Sequence, residues 1–583
     1  MRAFMAVLDS INTVMWHDFV LYFVLAVGVL FTVWTRFGQY RALTHGVAAI
    51  RGKFDRKEDP GAINHFQALS AALSATVGLG NIAGVAIALA VGGPGAVFWM
   101  WVIGFVGMAL KMTEVTQAML YRNLEDPENP HGGAMWVCKK GFSRLHPSLG
   151  KVGTAVGGLF CITLLISTIT GGNMFQAWNV ADICSSYFGI PEVVTGIVMT
   201  LMVGLVIIGG IKRIGSVAGR LVPFMCVLYL LAGLYVIGSN IGRVPDMFRL
   251  IFQCAFSRTE AQGAFLGGTF GFAFLKGMQR ALFSNEAGQG SAPIAHCAAK
   301  TDEPVREGVV AGLEPFVDTL VVCTVTAVVI LLSGVWSREP ALRFDTPAQV
   351  TQVEAGGQGL PVWSLESGAI SIREDLEAKN QMNDGQEVFA VVDADTRSST
   401  GQERHRLAGR LHKGTDGNWT VNWSTMESRT EPRLAIEGVY FDFKGATLTA
   451  KAFDFILPGL GLWIVPATVW LFAISTMISW SYYGEQGVVY LWGTRAVMAY
   501  RVIYCLFIFA ATSPLIATEY ELDVISTLGT GVMLWVNIPI MLLFGKQAMG
   551  AYRTYMRKLD AGEFHGRKAY PSVTDVVEGK DIR

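Results

Sequence analysis

The sequence predicts an all-α polytopic membrane protein with a small β-rich insertion. Hydrophobic residues make up 52% of the 583 residues and charged residues only 16%, whereas soluble domains average about 25% charged residues. About eleven segments are apolar over the roughly 20 residues that a membrane-spanning helix needs. One internal segment, residues 336–448, is polar and contains short alternating apolar runs, and such alternation indicates β-strands.

The candidate spans lie on both sides of this insertion. Residues 1–335 are predicted to form a membrane domain with an extra first helix and the first seven core helices, and residues 449–548 the last three. Residues 549–583 would form a cytoplasmic tail. In chain order, the spans cover residues 18–36, 64–91, 94–120, 151–170, 190–210, 216–240, 264–284, 307–335, 453–480, 497–515 and 525–545.

The distribution of basic residues predicts the orientation in the membrane. The connection after the second span, around residues 92–94, has no basic residue, whereas the connection after the first span is rich in them. Because Lys and Arg concentrate in cytoplasmic loops, we expect the N-terminus outside, the C-terminus in the cytoplasm, and a bacterial inner membrane as the location. The basic residues of the first connection are Arg36, Arg41, Arg51, Lys53, Arg56 and Lys57.

The insertion has the pattern of a small β-rich domain on the outer face. Residues 387–392, 419–423 and 439–443 are apolar runs typical of strands. Asp416-Gly417, between residues 407–412 and 419–423, is typical of a hairpin turn. The domain could bind a protein partner, act as a lid, or be passive.

The spanning segment within residues 69–101 is interrupted. Thr76-Val77-Gly78-Leu79-Gly80-Asn81 places two glycines and an amide where a membrane helix should be regular. A break there frees backbone N–H and C=O groups that lipid cannot satisfy. In transporters, such broken helices hold a substrate carboxylate through N–H groups and a cation through carbonyl groups.

A second interrupted segment follows about five helices later. Residues 265–272 and 280–293 are again rich in glycine and polar residues. Two broken helices at matching positions of two five-helix halves indicate an inverted-repeat transporter with a central site. The alternative is that these glycines only allow close helix packing.

Several runs resemble the alanine/glycine:cation symporter family. They are Gly92-Gly93-Pro94-Gly95, Gly80-Asn81-Ile82-Ala83-Gly84, Gly209-Gly210-Ile211-Lys212, Ser284-Asn285-Glu286-Ala287-Gly288, Asp318-Thr319 with Cys323-Thr324, and Trp480-Ser481-Tyr482-Tyr483-Gly484. The resemblance implies one extra helix followed by a leucine-transporter-like core of two inverted five-helix repeats. It also implies sodium-coupled, in some members proton-coupled, uptake of small neutral amino acids such as alanine or glycine.

The resemblance also implies site residues. The backbone of the first break would clamp the substrate carboxylate, next to side chains of the fifth helical region and the second break. The substrate residues would be Leu79, Gly80, Gln176, Trp178, Gly271 and Phe272. Leu79 and Trp178 depart from the threonine and asparagine usual in the family, which leaves a different small solute open.

The implied sodium site joins the first break to the ninth helix. Carbonyl groups near Ser74 and Val77 and the hydroxyl groups of Ser475 and Thr476 would bind the ion, because sodium prefers oxygen ligands. The alternative for the two hydroxyl groups is hydrogen bonding back to helix carbonyls. Thr76 and Asn81 are candidates for a second ion. No other cofactor is expected.

Six ionisable residues fall in or near the predicted spans, where an unpaired charge is costly, so we expect them to be paired or functional. They are Lys111, Glu114, Lys276, Arg280, Glu314 and Asp318. The sequence has no His-Glu-x-x-His or phosphate-binding motif, so we expect no enzyme. Its formal net charge of zero gives no reason to expect nucleic-acid binding.

The favoured function is therefore sodium-coupled import of alanine or glycine. The rival class is a non-transporting receptor whose outer domain binds a partner. Within the transport class, another small solute or proton coupling remains open.

Overall fold

The computed structural model describes residues 2–56, 58–256, 270–345, 348–354, 361–366, 369–372, 384–397, 402–414, 418–443, 445–513 and 519–564. Its helices confirm the predicted fold class. Before the insertion they are α1 (Arg2–Met15), α2 (Asp18–Trp34), α3 (Gln39–Arg41), α4 (Val47–Ile50), α5 (His65–Thr76), α6 (Val85–Gly92), α7 (Gly95–Tyr121), α8 (Ala134–Leu145), α9 (Gly150–Ile169), α10 (Phe175–Phe188), α11 (Glu192–Ile207), α12 (Gly210–Ser239), α13 (Val244–Phe256), α14 (Phe270–Asn285), α15 (Ala292–His296), α16 (Pro304–Ala311) and α17 (Thr324–Ser333).

Four helices follow the insertion, and π-helical turns join several helices into longer rods. The later helices are α18 (Gly445–Ile456), α19 (Leu460–Trp492), α20 (Val497–Ala511) and α21 (Glu519–Asp560). The π-helical turns are Ala42–Gly46, Gly80–Gly84, Thr170–Met174 and Phe316–Cys323. Such turns are frequent at functional sites because they release backbone groups from the regular helix.

Within the described residues, eight helical rods are long and apolar enough to cross a membrane. A ninth span results if α5 and the rod Gly80–Gly92, which meet at a 50° bend, count as one. Helix α11 is apolar but shorter. Each predicted segment overlaps a helix, although the prediction of about eleven spans stays a prediction.

Helix α5 begins and ends where its sequence dictates. The Asn64 side chain accepts a hydrogen bond from the Gln67 amide, and the Gln67 side chain accepts one from the Asn64 amide, which is a capping box. At the other end, Val77 leaves the helical conformation with φ −76° and ψ 85°. The predicted break is therefore present at Val77 to Leu79, before the π-helical turn.

The insertion contains two antiparallel sheets. The larger sheet has the strand order β1-β4-β7-β6-β5-β10, with β9 also paired to β5, and the smaller has the order β2-β3-β8. The strands are β1 (Leu342–Phe344), β2 (Val350–Glu354), β3 (Val362–Leu365), β4 (Ala369–Ile372), β5 (Glu387–Arg397), β6 (Gln402–Lys413), β7 (Trp419–Trp423), β8 (Met426–Glu427), β9 (Arg433–Leu434) and β10 (Tyr440–Phe441).

The pairing of β6 with β7 fits the predicted hairpin. Lys413 lies opposite Trp419, and Gly409 lies opposite Trp423. The predicted turn residues Asp416 and Gly417 lie outside the described residues. Helix α18 starts at Gly445, so the last residues of the predicted insertion are helical and pack against the membrane domain.

The two ends of the insertion lie side by side. Helix α17 ends at Ser333, and the following Gly334, with a φ of 72°, caps it. Leu342 and Val439 then exchange two backbone hydrogen bonds, each of 3.0 Å. The chain therefore leaves the membrane domain and returns to it at nearly the same point.

Candidate substrate and ion site

The backbone groups freed at the first break have specific partners. The Gly78 amide donates to Oδ1 of Asn81 over 2.8 Å. The Leu79 amide donates to Oε1 of Gln176 over 3.2 Å, and the Gln176 side-chain amide donates to the Gly171 carbonyl over 3.1 Å. The break thus presents two backbone donors to side-chain oxygens, one from the following π-helical turn and one from α10, as a carboxylate-binding site requires.

A small cavity of about 20 Å³ lies against this break, close to the space that one water molecule needs. Its walls come from α5, the break, the α9–α10 rod, α14, the turn after α14, α19 and α21. The lining residues are Ala75, Thr76, Gly78, Gly80, Ser167, Gly171, Gln176, Phe283, Glu286, Gln289, Trp480 and Thr530. An amino acid would fit only if these walls move apart.

Only part of the predicted substrate set lines this cavity. Gly80 and Gln176 line it, whereas Leu79 and Trp178 are buried outside its lining. Leu79 contributes its backbone N–H rather than its side chain. Gly271 and Phe272 belong to the first turn of α14, but their side chains lie outside the described residues.

The predicted sodium residues meet at the contact between α5 and α19. Ser74 Oγ donates to the Ser475 carbonyl over 2.7 Å. Ser475 Oγ donates back to the Phe472 carbonyl over 2.9 Å. This is the hydrogen bond to a helix carbonyl that the sequence leaves open as the alternative to ion binding. A methyl group added at Gly78 would lie 2.4 Å from Thr476 Oγ1, so this hydroxyl group touches the break itself.

The environment of the Thr476 hydroxyl indicates whether these residues could bind a cation. Its hydroxyl group is buried and has no hydrogen-bond partner among the described residues. A buried hydroxyl without a partner is costly, and a bound cation would satisfy its oxygen. The Val77 backbone, which has left the helix, lies next to Gly78. The donor set of hydroxyl and carbonyl oxygens suits sodium.

The structure does not bring Thr76 and Asn81 together as oxygen ligands. The Thr76 hydroxyl donates to the Ala72 carbonyl over 3.3 Å, and the Asn81 oxygen accepts from Gly78. Asn81 Nδ2 instead donates to Asp318 Oδ1 over 2.6 Å. The same carboxylate accepts from Ser284 Oγ over 3.0 Å, so Asp318 joins the first break to α14.

The buried charges that the sequence indicated are paired in part. Lys111 Nζ lies 3.6 Å from Glu114 Oε1 and 3.4 Å from Glu314 Oε2. Glu286, Phe283 and Gln289 line the cavity, although no role is predicted for them from the sequence. The motif that contains Glu286 was visible, but only the fold turns its residues toward the first break.

A cavity at the break of a helix, with buried backbone donors and hydroxyl groups around it, is typical of secondary transporters. The comparisons with known proteins specify the class further. The chain belongs to the Sodium:alanine symporter family, whose model matches residues 1–364 and 433–569. The resemblance inferred from the motifs is thereby confirmed.

Relatives of this family cover most of the chain. Sodium/alanine symporter AgcS of Methanococcus maripaludis is 34% identical over 516 residues, which are 88% of this chain and 90% of the relative. Sodium/proton-dependent alanine carrier protein of Bacillus sp. strain PS3 is 29% identical over 524 residues, 88% of this chain and 93% of the relative. "Probable sodium/glutamine symporter GlnT" of Bacillus subtilis is 36% identical over 326 residues, 56% of this chain and 65% of that protein.

Proposed function

We propose that this protein imports a small neutral amino acid, alanine or glycine, together with sodium. The observation that carries the proposal is the sharing of one helix break by two kinds of group. The Leu79 amide faces Gln176 on one side of the break. On the other side, the Thr476 hydroxyl touches Gly78 and has no hydrogen-bond partner among the residues that the structure describes. Occupancy of either side would therefore change the packing of the same break, Val77 to Leu79.

The mechanism follows from this arrangement. Sodium bound by Thr476 and by carbonyl groups near Ser74 and Val77 would tie α19 to the break. The substrate carboxylate would take the Leu79 amide from Gln176, since a charged acceptor makes the stronger hydrogen bond. Binding of both would favour one arrangement of the helices, and their release would favour another.

Asp318 is the stronger candidate for a second cation than Thr76. Its carboxylate is fully buried and accepts hydrogen bonds from Asn81, Ser284 and Thr319. A buried negative charge attracts a cation. Asn81 remains part of the proposed second ion site because its side-chain amide donates to this carboxylate.

The proposed setting is a bacterial inner membrane, with the N-terminus outside and the C-terminus in the cytoplasm. The basic residues around Arg51 support this orientation, which places the β-rich insertion outside. If the protein is instead a non-transporting receptor, the insertion would be the part that binds a protein partner.

Glutamine is the second candidate substrate. It is favoured by the printed name of the relative GlnT and by the departures at Leu79 and Trp178. Both side chains are buried and do not line the cavity, so we propose that they affect the packing around the site rather than contact the solute.

The test is uptake of labelled alanine, glycine and glutamine by proteoliposomes under an inward sodium gradient. An equal potassium gradient is the control. We expect accumulation of alanine or glycine with sodium only. Sodium-dependent thermal stabilisation by a solute that is never accumulated would instead support the receptor.

A further inference from the structure

An apolar groove runs between α11 and α20 on the outside of the helix bundle. Its volume is about 360 Å³, within the range of about 300–1,000 Å³ that is usual for ligand sites. Most of the side chains that line it are apolar and exposed. Among the largest are Ile197 and Leu201 of α11 and Val502, Leu506 and Phe509 of α20.

The groove exists because the two helices approach closely at one end only. A methyl group added at Gly196 of α11 would overlap Thr512 Oγ1, directly after α20. A methyl group added at Gly204, about two turns further along α11, would lie 3.6 Å from Cys505 Sγ, which is an ordinary contact. The small side chains at Gly204 and Cys505 therefore leave the space that the groove occupies.

Arg501 lies at one end of the groove and joins the three helices around it. Arg501 Nη2 of α20 lies 2.7 Å from Glu485 Oε2 of α19, and Arg501 Nη1 donates to the Ile208 carbonyl at the end of α11 over 3.2 Å. The two charged side chains are 13% and 14% exposed. Contacts with two neighbouring helices therefore hold the charged end of the groove in place.

Two further arginines lie beside this end. Arg213, in the first turn of α12, covers the end of α11, because a methyl group added at Gly209 would overlap the Arg213 side chain. Arg495 belongs to the short turn Thr494–Ala496 directly before α20. Both arginines are exposed. Since Arg501 already has a carboxylate partner, these two residues give this end of the groove an excess of positive charge.

The groove and its charged end together indicate the kind of ligand. The apolar part selects nothing by itself, because lipid tails are as apolar as the side chains that line it. In the proposed orientation the charged end lies at the cytoplasmic side, where basic pockets between helices bind the head groups of anionic lipids. A phospholipid combines the two required parts, an acyl chain and a negatively charged phosphate group.

We propose that this groove binds one anionic phospholipid, with an acyl chain between α11 and α20 and the phosphate group at Arg213 and Arg495. Arginine suits this role because its planar guanidinium group matches the geometry of a phosphate. Arg501 acts as a positioning residue that fixes the end of α11 against α19. A ligand that binds only the folded protein stabilises it, so the lipid would stabilise the packing of these helices.

The experiment is native mass spectrometry of the full chain in detergent, titrated with dioleoyl phosphatidylglycerol or with dioleoyl phosphatidylcholine. The two lipids have the same acyl chains and differ in net charge. One basic residue near an anionic lipid contributes about fivefold in affinity. For two arginines we therefore expect phosphatidylglycerol to bind about 25-fold more tightly than phosphatidylcholine, with one adduct per chain.

The double variant Arg213→Gln with Arg495→Gln removes the two charges and leaves the pair of Arg501 and Glu485 intact. We expect its affinities for the two lipids to become equal. Its fold is checked by its melting temperature in detergent without added lipid, which should equal that of the wild type because both side chains are exposed.

The matched control for charge is Arg553→Gln with Arg557→Gln. Both arginines are exposed on α21, which contributes no described residue to the groove lining. This variant loses the same number of charges, so its preference for phosphatidylglycerol should equal that of the wild type.

Gly204→Leu tests the apolar part and does not depend on the arginines. The leucine side chain would fill the groove, and leucine favours a helix more than glycine does. We expect weaker binding of both lipids. Gly238→Leu in α12, where nothing lies within 4 Å of an added methyl group, is the control and should bind both lipids as the wild type does.

The outcomes separate the possible occupants, and none of them depends on transport. Equal affinity of the wild type for the two lipids overturns the recognition of an anionic head group. An equal loss of preference in the two double-arginine variants overturns the placement of the head group at α11 and α20. A dimer that Gly204→Leu disrupts, without a lipid adduct, would make the groove an interface between two copies of the chain and overturn the lipid site.

Discussion

Gly78 and Thr476 show how closely the candidate ion site depends on single atoms. Gly78 has no side chain, and the Thr476 hydroxyl occupies the space where one would lie. The hydroxyl is buried and has no hydrogen-bond partner within the described part of the chain. In the proposed ion site, the missing side chain at Gly78 leaves room for the Thr476 oxygen to act as a ligand.

Thr476→Val keeps the shape of the side chain and removes its oxygen. We expect the sodium concentration for half-maximal uptake to rise about tenfold, because a ligand to a charged partner contributes about 1.5 kcal/mol. The measurement is the sodium dependence of alanine uptake. Ser481→Ala is the control, because the Ser481 hydroxyl donates to the Ile478 carbonyl within its own helix. An equal shift in both variants would contradict the site.

Gly78→Ala tests the same contact from the other side. The added methyl group would lie 2.4 Å from Thr476 Oγ1 and 3.5 Å from Gln176 Oε1. We expect loss of sodium-dependent thermal stabilisation and of uptake in a protein that is still folded by size-exclusion chromatography. Normal sodium binding by this variant would show that the ion lies elsewhere.

His45 predicts a pH dependence of stability. Burial, with the charges of Arg306 and Arg41 as further causes, lowers the pKa of His45 from 6.5 to about 4, and its ring bonds to Tyr555 Oη over 2.7 Å. Between these pH values the unfolded chain binds the proton and the folded protein does not. Stability is therefore complete above pH 6.5 and falls as the pH drops toward 4.

The loss at pH 5 amounts to about 2 kcal/mol. We expect the melting temperature of the wild type in detergent to fall more between pH 7.5 and pH 5 than that of His45→Gln, which retains a hydrogen-bonding side chain. Parallel pH profiles for the two proteins would contradict this role of His45.

At the scale of helices, α7 is the element around which the membrane domain packs. It contacts α2, α14 and α16, and small residues make the closest approaches possible. A methyl group at Gly308 of α16 would lie 2.1 Å from Thr116 Oγ1 and 2.8 Å from the Met112 carbonyl of α7. This packing holds Glu314 and Glu307 opposite Lys111 and His65.

Gly308→Ala should therefore lower the melting temperature, although alanine favours a helix over glycine by about 1 kcal/mol. The steric clash with a backbone carbonyl cannot be relieved by a side-chain rotation. Gly550→Ala in α21, where nothing lies within 4 Å of the added group, is the control and should be neutral or stabilising. Thermal unfolding of the purified proteins distinguishes the two effects.

The sequence predicts the helices that long apolar runs determine. It does not predict features that depend on contacts between distant segments. The break at Gly78 was visible because glycine and Asn81 interrupt an apolar run. The π-helical turn Phe316–Cys323, which carries Asp318, has no comparable signal in the sequence; it contacts α7 and the π-helical turn Gly80–Gly84. Thr76 is a candidate for a second ion from the sequence, and no pattern predicts that its hydroxyl bonds back to the Ala72 carbonyl.

At the scale of the whole molecule, the insertion stands apart from the family. The matching segments end at residue 364 and resume at residue 433, inside the β-rich region. The paired ends Leu342 and Val439 show why the membrane domain can accommodate an insertion there. One side chain, Arg406, reaches from the sheet to the Ala90 carbonyl over 3.5 Å.

Replacement of residues 343–438 by a short glycine linker should leave the membrane domain folded. The bridged ends need no rearrangement, so loop closure costs little. We expect a monodisperse protein with sodium-dependent uptake near that of the wild type. Retained solute binding with lost uptake would instead assign the insertion a role in the conformational change.

Contacts between segments that are distant in the chain could not be predicted from the sequence. Periodicity predicted strands around residues 387–392, but the strand order, with β4 next to β7, depends on contacts distant in the chain. The hydrogen bonds of His296 with Glu307 and Glu314 likewise join residues of different elements. No local pattern predicts such contacts.

The hydrogen bond between Leu79 and Gln176 has a consequence for the energetics of transport. Because the amide already has an acceptor, an arriving carboxylate exchanges one bond for another and gains only the difference. Modest affinity is useful to a transporter, because it must release its substrate in every transport cycle. Gln176 would also keep the empty site closed, so that ions do not leak down their gradient when no solute is bound.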